Sequence, residues 1–122
     1  MKLIPTSALK GLYVKDSLST LQNGFSFKIK NKWRGVMLTK VLPVEIDGEP
    51  WPIAGVSFAT GEDQARQAKD INPRKPWKVP TDQFEVRIQG RVLGEGEHKI
   101  RLPVDAKGLG RLEVSFSDKM RF

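Results

Sequence analysis

Apolar and polar residues alternate one by one over several stretches of this chain. Phe25, Phe27 and Ile29 are separated by Ser26, Lys28 and Lys30. A period of two gives a strand with one buried face and one wet face. The rhythm returns in the last third, at Phe84, Val86 and Ile88, at Ile100, Leu102 and Val104, and at Leu112, Val114 and Phe116. Short polar turns, Leu93 to His98 and Asp105 to Gly110, separate these runs, so they predict an antiparallel meander. Asn23-Gly24 and Asp47-Gly48 are turn signals, the second of the preferred hairpin type. Gly24 is expected there because glycine tolerates positive φ.

Other segments fit the same scheme less regularly. Leu9 to Lys15 reads as a first strand or extended arm anchored by Leu12 and Val14. Val36 to Ile46 holds one long strand or two short ones, with Pro43 forcing an edge or a bulge. Glu49 to Ile53, with Pro50 and Pro52, is an irregular or edge return, and Val56 to Phe58 is a short strand. The one candidate helix is Thr60 to Lys69, capped by Thr60 with Glu62 and Asp63 in its first turn. It has little apolar face, so it is one or two turns or only a loop. Asn72 to Pro80 is a proline-rich connector. About seven or eight short strands and at most one short helix predict an all-β antiparallel sandwich, with a closed barrel as the alternative. The whole chain, 1–122, reads as one domain.

Composition narrows the chemistry more than it names it. The chain has no cysteine, hence no disulfide or thiolate metal site. No apolar run approaches the roughly 20 residues of a membrane helix, and the start lacks the apolar core of a signal peptide. A cytoplasmic protein is the expectation. The net charge of +7 suits an acidic partner, but lysine and arginine are dispersed among carboxylates without a block of like charge. Charge alone therefore does not favour nucleic acid.

Catalytic groups are sparse. His98, the only histidine, reads as a strand-entry residue set against the neighbouring glycine turn. A lone general base would need an orienting carboxylate and a nucleophile beside it. The 14 carboxylates lie mostly in turns or on the polar side of strands, so no pair stands out. No catalytic residue, metal ligand or cofactor is assigned. Three tryptophans break the core pattern: Trp33, Trp51 and Trp77 sit in breaks rich in proline or charge. Tryptophan and arginine in loops are enriched at binding hot spots, and tryptophan also stacks on sugars. Trp33, Arg34, Trp51, Arg74, Lys75 and Trp77 are therefore the candidate interface or ligand-binding residues. The bland alternative is that the tryptophans cap the open ends of the sandwich.

The order Asp16-Ser17-Leu18, Gly24-Phe25-Ser26-Phe27, Trp33-Arg34-Gly35, Val44 to Glu49 and Val56-Ser57-Phe58 resembles the small β-subunits of bacterial C-glycoside deglycosidases. The resemblance implies a β-sandwich that supports a larger barrel-type subunit carrying the metal and the catalytic bases. It transfers no catalytic residue to this chain. Some short chains of this look carry the label hydroxymethylglutaryl-CoA reductase. A chain this small, with one histidine and no nucleotide-binding pattern, could not house that enzyme's active site. The expected function is thus a non-catalytic accessory or interaction subunit whose partner is a larger protein or a second copy. The alternatives are a stand-alone carbohydrate-binding sandwich, a nucleic-acid binder using Lys28, Lys30, Lys32, Arg34, Arg87 and Arg91, and a small enzyme with an unrecognised carboxylate site.

Overall fold

The computed structural model describes residues 12–60 and 65–120. They form two antiparallel sheets packed face to face. Eleven strands run in chain order: β1 (Ser19–Leu21), β2 (Gly24–Lys30), β3 (Met37–Val41), β4 (Val44–Ile46), β5 (Glu49–Trp51), β6 (Val56–Ala59), β7 (Arg66–Gln67), β8 (Trp77–Lys78), β9 (Gln83–Gln89), β10 (Gly96–Ala106) and β11 (Gly110–Met120). The all-β sandwich expected from the alternation is the observed class. The higher strand count comes from the short pieces β1, β5, β7 and β8, two or three residues each.

One sheet has the order β1-β2-β9-β6-β7. Its inner face carries Phe25, Phe27, Ile29, Phe58, Phe84, Val86 and Ile88, all buried. In the other sheet the long strand β10 pairs along its whole length with β11 on one side. On its other side β3 and β4 lie end to end, with β8 beyond β3 and β5 beyond β4. The stretch from Val36 to Ile46 is thus two short strands, and the break has a local cause. Pro103 faces Leu42, accepts its N–H through the carbonyl at 3.1 Å, and has no N–H to return. The chain leaves the ladder at Pro43.

Two turns show how sequence signals translate. At Asp47-Gly48 both residues take positive φ, 52° and 86°, as a tight hairpin requires. At Asn23-Gly24 the positive φ falls on Asn23 instead, at 61°. Gly24 is needed for space: a Cβ there would lie 2.2 Å from the Ile88 carbonyl oxygen.

The candidate helix at 60–69 lies partly outside the described residues. Where it is described, Arg66–Gln67 is strand β7 and Ala68–Asp70 is a single 3-10 turn. The edge of β6 takes this segment as a partner, with Ser57 opposite Gln67 and Phe58 opposite Arg66. Backbone groups on a half-buried edge gain more from pairing than a short stretch with little apolar face gains from helix propensity. The expected arm at Leu9 to Lys15 is described from Leu12 onward. Leu12 is buried, Tyr13 bridges to Ile29, and Val14 donates to the Lys28 carbonyl at 3.0 Å.

Candidate functional site

Of the six candidate residues, Trp33, Arg34 and Trp77 lie near the start of β9 and Trp51 at its far end. Near its start, Asn31 acts as a knot. It is buried, its Nδ2 donates to the carbonyls of Trp33 at 2.6 Å and Pro80 at 2.9 Å, and its Oδ1 accepts from the Trp33 N–H at 3.1 Å. Val79 donates to the Val36 carbonyl at 2.9 Å. These bonds staple the Trp33-Arg34-Gly35 loop to the proline-rich connector that carries Trp77. Trp77 stacks on Phe58, with ring centroids 4.9 Å apart and planes 12° off parallel, and meets Phe84 edge-on at 5.2 Å. Trp33 closes a small cavity of about 60 Å³ between the sheets, together with Leu12, Val36, Val79, Leu112 and Val114. The exposed lining of that cavity is apolar. Lys32, Arg34 and Lys78 lie exposed on the segments around it, with Asp82 the acidic exception.

Trp51 lies elsewhere. Its Nε1 donates to the Gln89 carbonyl at 3.3 Å, at the far end of β9. Seven residues of strand separate the two places, roughly 20 Å. The three tryptophans are all partly buried against the core rather than gathered on one exposed patch. Arg74 and Lys75 are exposed in a turn built on Asn72, whose Oδ1 accepts both of their N–H groups. The structure therefore joins Trp33, Arg34 and Trp77, and leaves Trp51 apart. Among the residues weighed for nucleic acid, Lys28 stands opposite Glu85, and Arg87 is ion-paired with the same Glu85.

His98 sits in a joint whose second half the sequence did not reveal. Its Nδ1 lies 2.7 Å from Asp47 Oδ2, and its Nε2 lies 2.7 Å from the Gly94 carbonyl oxygen. Asp47 Oδ1 also accepts the Lys99 N–H at 2.8 Å. A neutral imidazole has one N–H, so two acceptors at this distance suit the doubly protonated ring. Burial alone would lower the pKa of His98, but the Asp47 carboxylate and the Gly94 carbonyl outweigh it, and the net shift is upward. The same hydrogen bond from His98, and then the Lys99 N–H, holds Asp47 below the usual carboxylate range. The expected contact of His98 with its own turn is present at Gly94. The Asp47 partner is 51 residues away in sequence, and only its Asp-Gly turn signal marked the position.

A second joint lies at the other edge. Tyr13 stacks on Phe116 with centroids 3.6 Å apart, and its hydroxyl donates to Asp118 Oδ2 at 2.6 Å. The Asp16 N–H donates to the same oxygen at 2.9 Å. Burial first, and then the hydrogen bond to Asp118, push the Tyr13 hydroxyl far above its ordinary pKa.

The model of the family described as hydroxymethylglutaryl-CoA reductase, N-terminal domain, matches residues 8–121. The chain belongs to that family. No curated protein matches it. In this chain the one histidine is engaged at both ring nitrogens, as a tie between a glycine turn and a hairpin. Among the described residues no group of three or more histidine and carboxylate side chains could hold a metal ion. No helix among them is long and apolar enough to cross a membrane.

Proposed function

We propose that this chain is a non-catalytic accessory domain that docks on a larger enzyme through the end bearing Trp33, Arg34 and Trp77. The observation that carries the reading is the stapled loop pair at that end. Asn31 fixes the Trp33 loop against the connector, Trp33 caps a small apolar cavity there, and Lys32, Arg34 and Lys78 lie exposed on the segments around it. A tryptophan held by its loop beside an exposed arginine combines the residue types enriched at binding hot spots. The family's description as the N-terminal domain of an enzyme supports a place beside a catalytic unit. The resemblance of Gly24 to Phe27, Trp33 to Gly35 and Val44 to Glu49 to C-glycoside deglycosidase β-subunits supports a sugar-active partner of the barrel type. His98 and Tyr13, the side chains best suited to proton transfer, serve instead as ties.

The test is reconstitution. The larger enzyme that co-purifies with the chain from its native source is stripped of it and assayed. Turnover falls, and returns when the chain is added back. Arg34→Glu, an exposed change that leaves the core alone, weakens the restoration by at least about tenfold. Turnover by the purified chain alone, or full restoration by the Arg34→Glu variant, overturns the reading.

A further inference from the structure

The geometry points to the free edge of β11 as a homodimer interface, in which two copies pair antiparallel about a two-fold axis through Val114. This inference goes beyond the docking end. It concerns a strand edge rather than the loop pair, shares with that end only Leu112 and Val114, which line the cavity under Trp33, and needs no partner enzyme.

Which backbone groups of β11 are free follows from its neighbour. Lys99 and Pro103 of β10 turn their carbonyls toward Asp47 and Leu42, on the β3–β4 side. Strand groups alternate in direction. Hence His98, Ile100, Leu102 and Val104 point at β11, where they face Asp118, Phe116, Val114 and Leu112. The N–H and C=O groups of Arg111, Glu113, Ser115 and Ser117 then point away from β10. Among the described residues β11 has no strand partner beyond β10. The run of free groups ends at Lys119, whose N–H is taken by Asp118 Oδ1 at 2.7 Å.

Monomeric proteins blunt such edges with bulges, prolines, charged side chains (lysine above all) or a covering loop. Here β11 keeps register with β10 over eleven consecutive pairs without a shift. From Leu112 to Asp118 it contains no lysine, proline or glycine. Leu112, Val114 and Phe116, on the inner side, are only partly buried. Tyr13 and Lys15 form a wall beside Ser115 to Asp118, leaving a groove of about 410 Å³ along that part of the edge.

Self-pairing is selective in register. Placing Glu113 on the axis sets it against its own copy. Placing Ser115 there sets Arg111 against Lys119. Placing Phe116 there relies on the Lys119 N–H, which is already engaged, and leaves Arg111 unpaired within the strand. With Val114 on the axis, Arg111 meets Ser117 and Glu113 meets Ser115, each pair counted twice by symmetry. No like charges oppose each other, and all four outward-pointing residues form hydrogen-bonded pairs. On the inner side Leu112 comes opposite Phe116 of the second copy, and Val114 opposite Val114. A surface that satisfies its own free groups in one register fits a second copy.

The experiment uses the purified chain and its lack of cysteine. Light scattering across a concentration series is expected to rise from 13.7 kDa toward twice that mass. Val114→Cys cross-links to a covalent dimer under mild oxidation, because residues on the axis bring their Cβ atoms within roughly 5 Å. Ser117→Cys does not, since its counterpart lies about 20 Å along the strand. Ser115→Glu, on the wet face, opposes Glu113 twice and weakens association about tenfold. Both cysteine variants are checked for a wild-type circular dichroism spectrum. A mass fixed at that of the monomer up to about millimolar concentration overturns the proposal. So does cross-linking at 117 as fast as at 114.

Discussion

Strands β9 and β11 carry the same alternation and differ in surroundings. β9 lies between β2 and β6, and its inward residues Val86 and Ile88 are fully buried. Among the described residues β11 has β10 on one side only, and Leu112, Val114 and Phe116 remain partly exposed. Periodicity tells which residues share a face. The number of neighbouring strands, which is a matter of topology, tells how deeply that face is covered.

The largest test of this contrast is a pair of truncations. Phe27→Ala, beside β9 and fully buried, is expected to cost about 3–5 kcal/mol in urea unfolding. Phe116→Ala on β11 should cost about 1–2 kcal/mol in dilute protein, because less of its ring leaves water on folding. Equal losses would break the comparison.

A smaller effect sharpens it at the place where β11 does gain cover. Tyr13→Phe keeps the stack on Phe116 but loses the hydrogen bond to Asp118, which also serves the Asp16 N–H. The expected cost is about 1–2 kcal/mol. Tyr13 is the only tyrosine, so absorbance titration reads it directly. Its phenolate should appear only well above the ordinary pKa of 10.0. Titration at that ordinary value would show that the bond between Tyr13 and Asp118 is not formed.

The smallest effect is at the same end of β10, on its other side, where Asp47 follows β4. The folded-state pKa of His98 is raised above its ordinary 6.5, so its contribution is complete below that value and is lost as pH rises through the folded pKa. Asp47 is shifted down from 3.8, so its contribution is present above that value and is lost as pH falls through the lowered pKa. The tie is strongest between about pH 4 and 6.5. Urea midpoints should therefore decline from pH 6 toward pH 8.5 in the native chain, and His98→Gln should flatten that decline. Identical pH profiles would remove the tie from the energetics.

Much of the fold is legible because it is local. Phe25, Phe27 and Ile29 lie on the buried face that their alternation assigns, and Asp47-Gly48 forms the turn that its residue types favour. The expected meander holds only for β10 and β11. Strand β9 belongs to the other sheet, between β2 and β6, because the turn from Gly90 to Glu95 crosses between the two sheets instead of closing a hairpin. What is not local stays hidden. Nothing near His98 announces Asp47, and nothing in Arg66-Gln67 announces the edge of β6 that captures it. Tryptophans at breaks are visible in the chain, but their division between the two ends of β9 depends on how the breaks fold back. Phe116 repeats the pattern of Phe84, yet only Phe84 lies in a strand flanked on both sides.

The seam at Leu42 has a mechanical side. One long strand carries two short ones on the same flank, and the interruption falls where Pro103 has no hydrogen to give. Bending the chain outward there forfeits little, since the missing bond could never have formed. That flank of the sheet is thus fastened to β10 as two separate pieces, much as two short shutters hang side by side on one frame.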